Sequence, residues 1–450
     1  MAEPLKKITM QPKPQALNSQ LKFPISRETI LSLFPFFFPF YLIRFSIFGL
    51  PSNLLEIAFV AFVLILLFEK PLSIKSSPES LAEDSSNPSK IQNPKSSTFT
   101  IPLLFPLTLF VLAGILGVAI ATWEDVSLRK SLGWWKGFIF FPAAFFVFLA
   151  NISAKTRQNL YKNFVLSSAL LGFLSFFSFE AFTDDGRLSG FFESANFLAF
   201  SLAPALLVFL YLREENLRQK KSRKLTLKEF FFEILVFLGI AVPLFLTQSY
   251  LSIFAIAFLV FVWKALEFIK KGKIDKKIIL ITLAVLTAFV FSFYHTEKFQ
   301  TVFDLENRSS ISVRKEVYTV SSHFLLSHPF FGIGLANYED KYLKEAPLVL
   351  GHAPFEWTMR HTHNLILSFW LNLGFPGFVV LLWFFYLVIR EGFSANCFLK
   401  IMPFLYFALH GTLDTPFWKN DVSMIFFLCL ALALFEVDSS SQSEHIKNEK

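Results

Sequence analysis

The chain has 450 residues, of which 54% are hydrophobic and 17% are charged, and its formal net charge is +8. So few charged residues could not cover the many long apolar segments in a water-soluble fold, and a soluble multidomain enzyme is therefore excluded. The composition predicts an all-α, polytopic integral membrane protein, because a helix satisfies its own backbone hydrogen bonds in lipid.

The first apolar run begins near Ile30, after a leader that contains several lysine residues and Arg27. No small-residue cleavage site follows this run, so it is predicted to be a retained signal-anchor. A helix of about 20 residues crosses the roughly 30 Å of membrane hydrocarbon. Apolar runs of this kind predict about twelve transmembrane helices, at 29–48, 52–68, 101–122, 134–151, 159–179, 191–212, 230–248, 249–268, 278–294, 363–389, 400–413 and 420–437.

Positive charge sets the predicted orientation of these helices. With a cytoplasmic N-terminus, the loops at 69–99, 152–158, 213–228 and 269–277 are cytoplasmic, and they hold most of the lysine and arginine found in short loops. Such basic loops indicate contact with anionic membrane lipids, and no nucleic-acid partner is expected. The predicted divisions are a cytoplasmic leader at 1–28, helices one to nine at 29–294 with a cytoplasmic linker at 69–99, a long outer loop at 295–362, helices ten to twelve at 363–437 and a cytoplasmic tail at 438–450.

Chemistry is expected at the long outer loop, because this orientation places seven of the eight histidines on or near the outer face. Val313, Val317, Val320 and Phe324 recur at helical spacing and predict a helix within the loop. Two interpretations of this helix are open. It is either an amphipathic helix that lies on the membrane surface or an ordinary connecting helix.

The sequence has no signature of nucleotide or zinc chemistry. A Walker loop, a dinucleotide fingerprint, an H-E-x-x-H helix and a G-x-S-x-G elbow are all missing. Gly332 and Gly334 lack the lysine or third glycine of a phosphate-binding motif, and they predict a tight turn. Cys397 and Cys429 match no metal-binding or redox spacing. We therefore expect neither a metal nor a cofactor.

Positive and proton-exchanging side chains gather on the predicted outer face, at Arg187, Arg314, Arg360, His361 and His363. This set suits an anionic, lipid-linked substrate, because arginine binds phosphate oxygens through a planar fork and stays charged. A neutral histidine can accept a proton from an attacking hydroxyl, which typically contributes about 10²–10⁴ in rate. The competing interpretations are a histidine that only hydrogen-bonds at the membrane interface and arginines that bind lipid headgroups.

A second histidine stands close to a carboxylate in sequence. His410 and Asp414 lie four residues apart near the outer end of the eleventh predicted helix, before Pro416. This spacing places both side chains on one helix face. The carboxylate either orients His410 or forms a structural pair with it.

The segment from His363 to Gly377 resembles the signature of the O-antigen ligase and polymerase superfamily of bacterial membrane proteins. The signature is histidine, then asparagine, serine or glutamine, nine residues, glycine, two residues, and then glycine, threonine or tyrosine. His363, Asn364, Gly374 and Gly377 agree with every fixed position.

Other parts of the chain also resemble motifs of this superfamily. They are GRLSGFFESAN at 186–196, the upstream Arg314, and HPFFGIGLANY at 328–338. Two positions differ from the superfamily pattern. Residues 247–250 read TQSY where Thr-x-Ser-Arg is common, and Asn372 stands where an acidic residue is common.

The resemblance implies a fold similar to the GT-C glycosyltransferases and a metal-independent glycosyltransferase of the bacterial inner membrane, with its active site facing the periplasm or exterior. The implied donor is a polyprenyl-diphosphate-linked glycan, and the implied acceptor is a hydroxyl on a lipid or a protein. On this interpretation His363 activates or positions the acceptor hydroxyl, while Arg187 and Arg314 hold the diphosphate. Further substrate-binding candidates are Asn196, Arg360, His361 and Asn364.

Two alternatives to a ligase remain at this stage. A polymerase of the same superfamily would join repeat units of the glycan. A transporter of lipid-linked sugars ranks lower, because such proteins usually carry charged sites near the bilayer midplane and often have internal repeats. Here the candidate mid-membrane charges are few, Arg44 and Glu56 among them, and no clear repeat is present.

Overall fold

The computed structural model describes residues 26–67, 101–219, 226–271, 308–392 and 395–435, together with residues 287 and 294. Seven helical segments within these ranges are long and apolar enough to cross a membrane: Leu103–Trp123, Leu128–Asn151, Ala154–Phe177, Ala195–Arg218, Leu227–Leu246, Tyr250–Lys270 and Leu365–Gly392. Shorter apolar helices lie at Leu54–Leu67, Cys397–His410 and Asn420–Leu434. The chain is therefore a helical, polytopic membrane protein, and the count of twelve spans stays a prediction.

The elements follow one another in this order along the described chain: α1 (Arg27–Ser32), β1 (Arg44–Ile47), β2 (Leu50–Asn53), α2 (Leu54–Leu67), α3 (Ile101–Trp123), α4 (Leu128–Trp134), α5 (Phe141–Asn151), α6 (Ala154–Leu174), α7 (Ala195–Gln219), α8 (Leu227–Leu246), α9 (Tyr250–Lys271), α10 (Ser310–Ser327), α11 (Tyr338–Leu350), α12 (Leu365–Gly392), α13 (Ala395–His410) and α14 (Asn420–Leu434). A π-helical stretch at Trp135–Phe140 joins α4 to α5. Apart from the first predicted span, the predicted spans that fall on described residues are helical, although their ends move by several residues. The span at 278–294 falls outside the described residues, except for 287 and 294. The linker at 69–99 and the tail at 438–450 also lie outside them.

The first predicted span, 29–48, is wrong as a single helix. After α1, a 3-10 helix covers Phe34–Leu42, and the chain then turns into the antiparallel hairpin of β1 and β2. Pro39 lies inside the 3-10 helix. Proline has no N–H to donate, and its ring clashes with the preceding turn, so a continuous α-helix is disfavoured here. Arg44, one of the two charges considered for the bilayer midplane, lies in the exposed strand β1.

The short helix α14 forms the centre of the bundle. Every residue from Asp421 to Ala433 is buried, and α5, α7, α12 and α13 pack around it. A helix that is apolar on all sides belongs in such an interior. This central helix fixes α7, α12 and α13 relative to one another, and the candidate site lies where α7 and α12 begin and α13 ends.

The helix predicted from the spacing of Val313, Val317, Val320 and Phe324 is confirmed as α10. Its apolar side chains, including Val317, Val320 and Phe324, form a cluster with Tyr338 and Tyr342 of α11. The aromatic rings of Phe324 and Tyr338 meet edge to face, with ring centres 6.1 Å apart. Since α11 covers the apolar face of α10, the structure favours the connecting helix over a helix whose apolar face rests on lipid.

The tight turn predicted at Gly332 and Gly334 is also confirmed. Both glycines have positive φ, at 66° and 87°. The turn hydrogen-bonds to two neighbouring helices, through Ile333 N–H to the carbonyl of Leu371 at 2.8 Å and Leu335 N–H to the carbonyl of Gly117 at 2.9 Å. The turn therefore anchors the connection between α10 and α11 on α3 and α12.

Replacing Gly334 with alanine is expected to destabilise the protein strongly. A Cβ at this position would lie 2.3 Å from the backbone nitrogen of Ala121, so the backbone of α3 would have to move. Gly186→Ala is the matched control, because Gly186 also has positive φ, at 74°, but a Cβ there would meet no atom within 4 Å. The control carries only the left-handed backbone cost of about 1–2 kcal/mol. Thermal unfolding of the purified variants measures the difference, and equal losses would contradict the close packing at Gly334.

Candidate active site

Four polar side chains meet where α7 and α12 begin and α13 ends. His363 lies just before α12, Asn196 lies in the first turn of α7, His410 ends α13, and Asp414 follows in the loop before α14. Hydrogen bonds or close ion pairs join the other three to Asp414. We call these four residues the His363 cluster.

His363 is held in an unusual backbone conformation, with φ at +48°. Two interactions hold it there. Its carbonyl accepts a hydrogen bond of 2.8 Å from the hydroxyl of Tyr318 on α10, and the next residue, Asn364, caps α12 by accepting the N–H of Leu367 at 3.0 Å. Left-handed backbone at a residue other than glycine is costly and is typical of functional sites. The role of Asn364 here is to cap the helix, because its amide nitrogen also donates to the carbonyl of Thr412.

The imidazole of His363 faces the carboxylate of Asp414. The distance from His363 Nδ1 to Asp414 Oδ1 is 3.2 Å. An ionised carboxylate only accepts hydrogen bonds, so the contact places the proton of a neutral imidazole on Nδ1. Nε2 then carries the lone pair and points away from Asp414. This arrangement leaves Nε2 able to accept a proton from a bound hydroxyl.

Asp414 is buried, and several donors stabilise its charge. Besides His363, the backbone N–H of Thr415 donates to Oδ1 at 2.8 Å, and the side chain of Asn196 donates to Oδ2 at 3.1 Å. Burial by itself raises the pKa of Asp414, but the hydrogen bond from His363 and the adjacent imidazole of His410 outweigh it and hold the pKa well below its usual range. Asp414 is therefore ionised at neutral pH.

The predicted pairing of His410 with Asp414 is only part of this geometry. Helix α13 ends at His410, and a hydrogen bond of 3.1 Å from Asp414 N–H to the carbonyl of His410 keeps the two residues close. The distance from His410 Nε2 to Asp414 Oδ2 is 3.9 Å, which is longer than the 3.2 Å to His363. The carboxylate thus lies between two imidazoles, and its shorter contact is with His363.

A buried network of hydroxyl groups lies behind His410. Tyr406 Oη is 2.9 Å and Ser252 Oγ is 3.1 Å from His410 Nδ1. Ser252 Oγ also lies 2.9 Å from Ser249 Oγ, within the segment that departs from the superfamily pattern. Because these hydroxyls can donate to Nδ1, they favour the His410 tautomer whose Nε2–H faces Asp414. Tyr406 precedes His410 by one helical turn, so the spacing in the sequence could have indicated Tyr406 as a partner of His410. No signal in the sequence indicated Ser252.

Arg314 reaches the edge of the His363 cluster from α10. Its Nε donates to the carbonyl of Leu413 at 2.8 Å, and its Nη1 donates to the carbonyl of Ser310 at 2.9 Å. One turn further along α10, the hydroxyl of Tyr318 bonds the carbonyls of His363 and Thr412. The sequence did not single out Tyr318. Helix α10 thus places a permanent positive charge beside the residue that precedes Asp414.

Arg187 is not joined to the His363 cluster by any hydrogen bond or ion pair in the described part of the chain. Its Nε donates to Asp185 at 2.7 Å within the loop that precedes α7. The loop is fixed by a hydrogen bond of 2.9 Å from Leu188 N–H to the carbonyl of Leu246. The structure therefore brings together the predicted site residues Asn196, Arg314, His363, His410 and Asp414, but gives Arg187 a local partner.

Arg360 and His361 lie next to the cluster in sequence. Arg360 is largely exposed and contacts Glu193 at 3.3 Å and Glu339 at 3.8 Å. The ring nitrogen Nδ1 of His361 is buried and has no hydrogen-bond partner among the described residues. Burial, followed by the neighbouring His363, lowers the pKa of His361 to about 4. His361 is therefore neutral at physiological pH.

Among the residues that the structure describes, no group of three or more His, Cys, Asp or Glu side chains is arranged to hold a metal ion. The expectation of metal-free chemistry stays a prediction.

Comparison with known families identifies the central part of the chain. Residues 234–382, from within α8 to within α12, match the family model described as O-antigen ligase. This stretch of the chain is similar to the O-antigen ligase family. The resemblance recognised in the motifs is thereby confirmed. No curated protein matches the chain.

The matched O-antigen ligase domain supplies only part of the candidate site. Arg314, Tyr318 and His363 lie within residues 234–382. Asn196, His410 and Asp414 lie outside the match but contact one another and His363. Helices on both sides of the O-antigen ligase domain therefore complete the His363 cluster.

Proposed function

We propose that the protein is a membrane glycosyltransferase that moves a glycan from a polyprenyl-diphosphate carrier to an acceptor hydroxyl at the outer face of the bacterial inner membrane. The observation that carries this proposal is the contact of His363 with the ionised, buried Asp414. An imidazole oriented by a carboxylate is the arrangement expected of a general base. The O-antigen ligase match supports the superfamily and the membrane context.

The proposed reaction uses the described side chains as follows. Nε2 of His363 takes the proton of the acceptor hydroxyl as its oxygen bonds to the anomeric carbon of the donor sugar. The bond between that carbon and the diphosphate oxygen breaks, and the electron pair leaves with the diphosphate. Asp414 stabilises the imidazolium that forms, and Arg314 stabilises the charge on the leaving diphosphate without a metal. Attack from the side opposite the leaving group inverts the anomeric centre.

The remaining candidates have lesser roles in this proposal. Asn196 positions Asp414, and Asn364 positions His363 through the cap of α12. Arg187 and Arg360 are proposed to bind the substrate. A diphosphate or glycan would replace their present partners, Asp185 and Glu193. The proposed division of the chain keeps the outer loop at 295–362 between two sets of transmembrane helices.

Purified protein in vesicles can test the proposed reaction directly. The vesicles receive a lipid-linked repeat unit, with and without an added acceptor, and both glycan products and released polyprenyl diphosphate are measured. Transfer with release of polyprenyl diphosphate supports the proposal. A single addition to the acceptor identifies a ligase, and a ladder of glycan lengths identifies a polymerase. Movement of the lipid-linked sugar between leaflets without release would contradict transfer. We expect EDTA to leave the rate unchanged, and a loss restored by a divalent metal would contradict the metal-free mechanism.

Replacing Arg314 with glutamine is expected to lower kcat/KM for the lipid-linked donor by about 10²–10³, the usual effect of removing one donor to a developing negative charge. Arg314→Lys should recover only part of this loss, because lysine has the charge without the planar fork. Arg308→Gln is the control. Arg308 is an exposed arginine that lies just before the same helix, and its side chain pairs with Glu356. Initial rates over a range of donor concentrations measure the effect. Equal rates for the wild type and Arg314→Gln would reduce Arg314 to a structural residue.

A further inference from the structure

The polar face of α10 borders an open groove that begins beside the His363 cluster. The groove has a volume of about 790 Å³, and it is lined by Ile311, Arg314, Lys315, Tyr318, Thr319, Ser322, His323, Leu326, Val349 and Leu413. Most of these side chains follow one another along a single helix face, at helical spacing. The opposite face of α10 packs on α11, and within the described ranges of the chain the polar face lines this groove.

The groove is continuous with the proposed reaction centre. Leu413, next to Asp414, lines it, and the carbonyl of Leu413 accepts the hydrogen bond from Arg314. Tyr318 lines the same groove and bonds the backbone of His363 through its hydroxyl. A donor whose diphosphate lies at Arg314 would have its first sugar near His363. The rest of its glycan would then have to leave the reaction centre along a neighbouring surface.

The chemistry of the lining suits a glycan better than a prenyl chain. Beyond Arg314 and Lys315, the face presents the hydroxyls of Thr319 and Ser322 and the imidazole of His323, all of them exposed. Such groups both donate and accept hydrogen bonds, as sugar hydroxyls require. Apolar side chains on the other walls, such as Val349 and Leu413, can pack on the carbon faces of sugar rings. A prenyl chain would leave this row of polar groups without hydrogen-bond partners.

We propose that this α10 groove binds the glycan of the donor, several sugars beyond the transferred bond, and so selects donors by glycan length. The proposal rests on the proposed transferase function. From Arg314 to His323 the helix rises by about 14 Å, at 1.5 Å per residue, so the groove is longer than one sugar ring. Contacts along it would strengthen the binding of long glycans and leave the first sugar unaffected.

A variant that fills the groove tests this proposal. Ser322→Trp places a large ring on the exposed face of α10, away from the His363 cluster. Leu348→Trp is the matched control, because Leu348 is a highly exposed residue of α11 that does not line the groove. The probes are lipid-linked glycans extracted from the producing cells and fractionated by glycan length. We expect Ser322→Trp to lower kcat/KM at least tenfold for long donors, with little change for donors of one or two sugars, and Leu348→Trp to change neither.

Three results would overturn the proposal. They are an unchanged rate with long donors, an equal loss for donors of every glycan length, and a loss that follows the length of the prenyl chain. Binding of the free glycan, released from the same extract by mild acid, gives a second measurement that needs no transfer. If the wild type binds long free glycans and Ser322→Trp does not, the groove assignment stands even when no transfer is observed. If the wild type transfers glycans but both proteins bind them equally, the groove assignment fails while the transferase function stands.

Discussion

Replacing His363 with asparagine is expected to lower the rate of glycan transfer by about 10²–10⁴, the usual contribution of a general base. Asparagine tolerates the left-handed backbone that His363 adopts, at φ of +48°. His363→Ala removes the same imidazole but adds backbone strain, because alanine does not favour that conformation. The asparagine variant therefore isolates the loss of the base from a loss of folding. Transfer rates, together with the yield of membrane-inserted protein, measure both.

His361→Asn is the control for this substitution. His361 lies two residues away and, with its pKa lowered to about 4, is uncharged at neutral pH. Its Nδ1 is buried away from solvent. We expect a much smaller loss of rate than at His363. Normal turnover by His363→Asn, in protein that is folded and inserted, would contradict the proposed role of His363.

Replacing Asp414 with asparagine is expected to cause a loss of rate approaching that of His363→Asn. The new amide has only one oxygen, yet both His363 and Asn196 donate to the carboxylate in the wild type. If the oxygen faces His363, two amide nitrogens oppose each other at Asn196. If the amide is reversed, its nitrogen donates to His363 Nδ1, and the imidazole proton must then be on Nε2. A protonated Nε2 has no lone pair with which to accept a proton from the hydroxyl. Either orientation also removes the charge that stabilises the imidazolium.

The double variant Asp414→Asn, Asn196→Asp tests this explanation. It restores the donors and acceptors that join His363, position 414 and position 196, because the amide introduced at position 414 can accept from His363 through its oxygen and donate through its nitrogen to the carboxylate introduced at position 196. The negative charge then lies at position 196, which is linked to His363 only through the side chain at position 414. We expect partial recovery of the transfer rate relative to Asp414→Asn alone. A double variant with no more activity than the single variant would contradict the tautomer argument.

The charge of Asp414 also predicts how stability depends on pH. Its folded pKa lies well below its usual range, because the hydrogen bond from His363 and the adjacent imidazole of His410 outweigh burial. The ionised form therefore contributes stability that is fully present above the unfolded pKa of about 3.9 and is lost as the pH falls through the folded pKa. Across the pH range from about 5 to 8, titration of Asp414 should not change the difference in unfolding free energy between wild type and Asp414→Asn. A difference that grows or shrinks within that range would indicate another titrating group.

Local patterns predicted much of the fold. The apolar runs indicated the positions of most helices, and the spacing of Val313, Val317, Val320 and Phe324 indicated α10, because burial of one helix face requires that spacing. The glycines at 332 and 334 indicated the turn, since both adopt positive φ. The prediction of one helix at 29–48 was wrong, because it used hydrophobicity alone and ignored that Pro39 disfavours a continuous α-helix.

The candidate site was harder to predict, because its contacts join distant parts of the chain. His363 and Asp414 are 51 residues apart in sequence, and their pairing depends on how α12 and α13 pack on α14. The sequence placed Asp414 beside His410 by spacing alone, and the helix end at His410 changed that geometry. The sequence did not indicate Tyr318, because its hydroxyl donates to a backbone carbonyl. Every residue has such a carbonyl, so no residue type in the sequence indicates this partner.

Helix α12 is interrupted by a kink at Gly374, whose backbone is not helical, and this kink gives a reason for the spacing between His363 and Gly374 in the motif. Gly374, at φ of 68°, sits against the carbonyl of Phe330, and the N–H of Phe375 bonds that carbonyl at 2.9 Å. At the other end, the N–H of Leu365 bonds the carbonyl of Gly411 at 2.7 Å. These two hydrogen bonds fix the rotation of the first half of α12 about its own axis. One inserted residue would turn His363 by about 100° around the helix axis and away from Asp414, so a longer or shorter interval would break the contact between these two side chains.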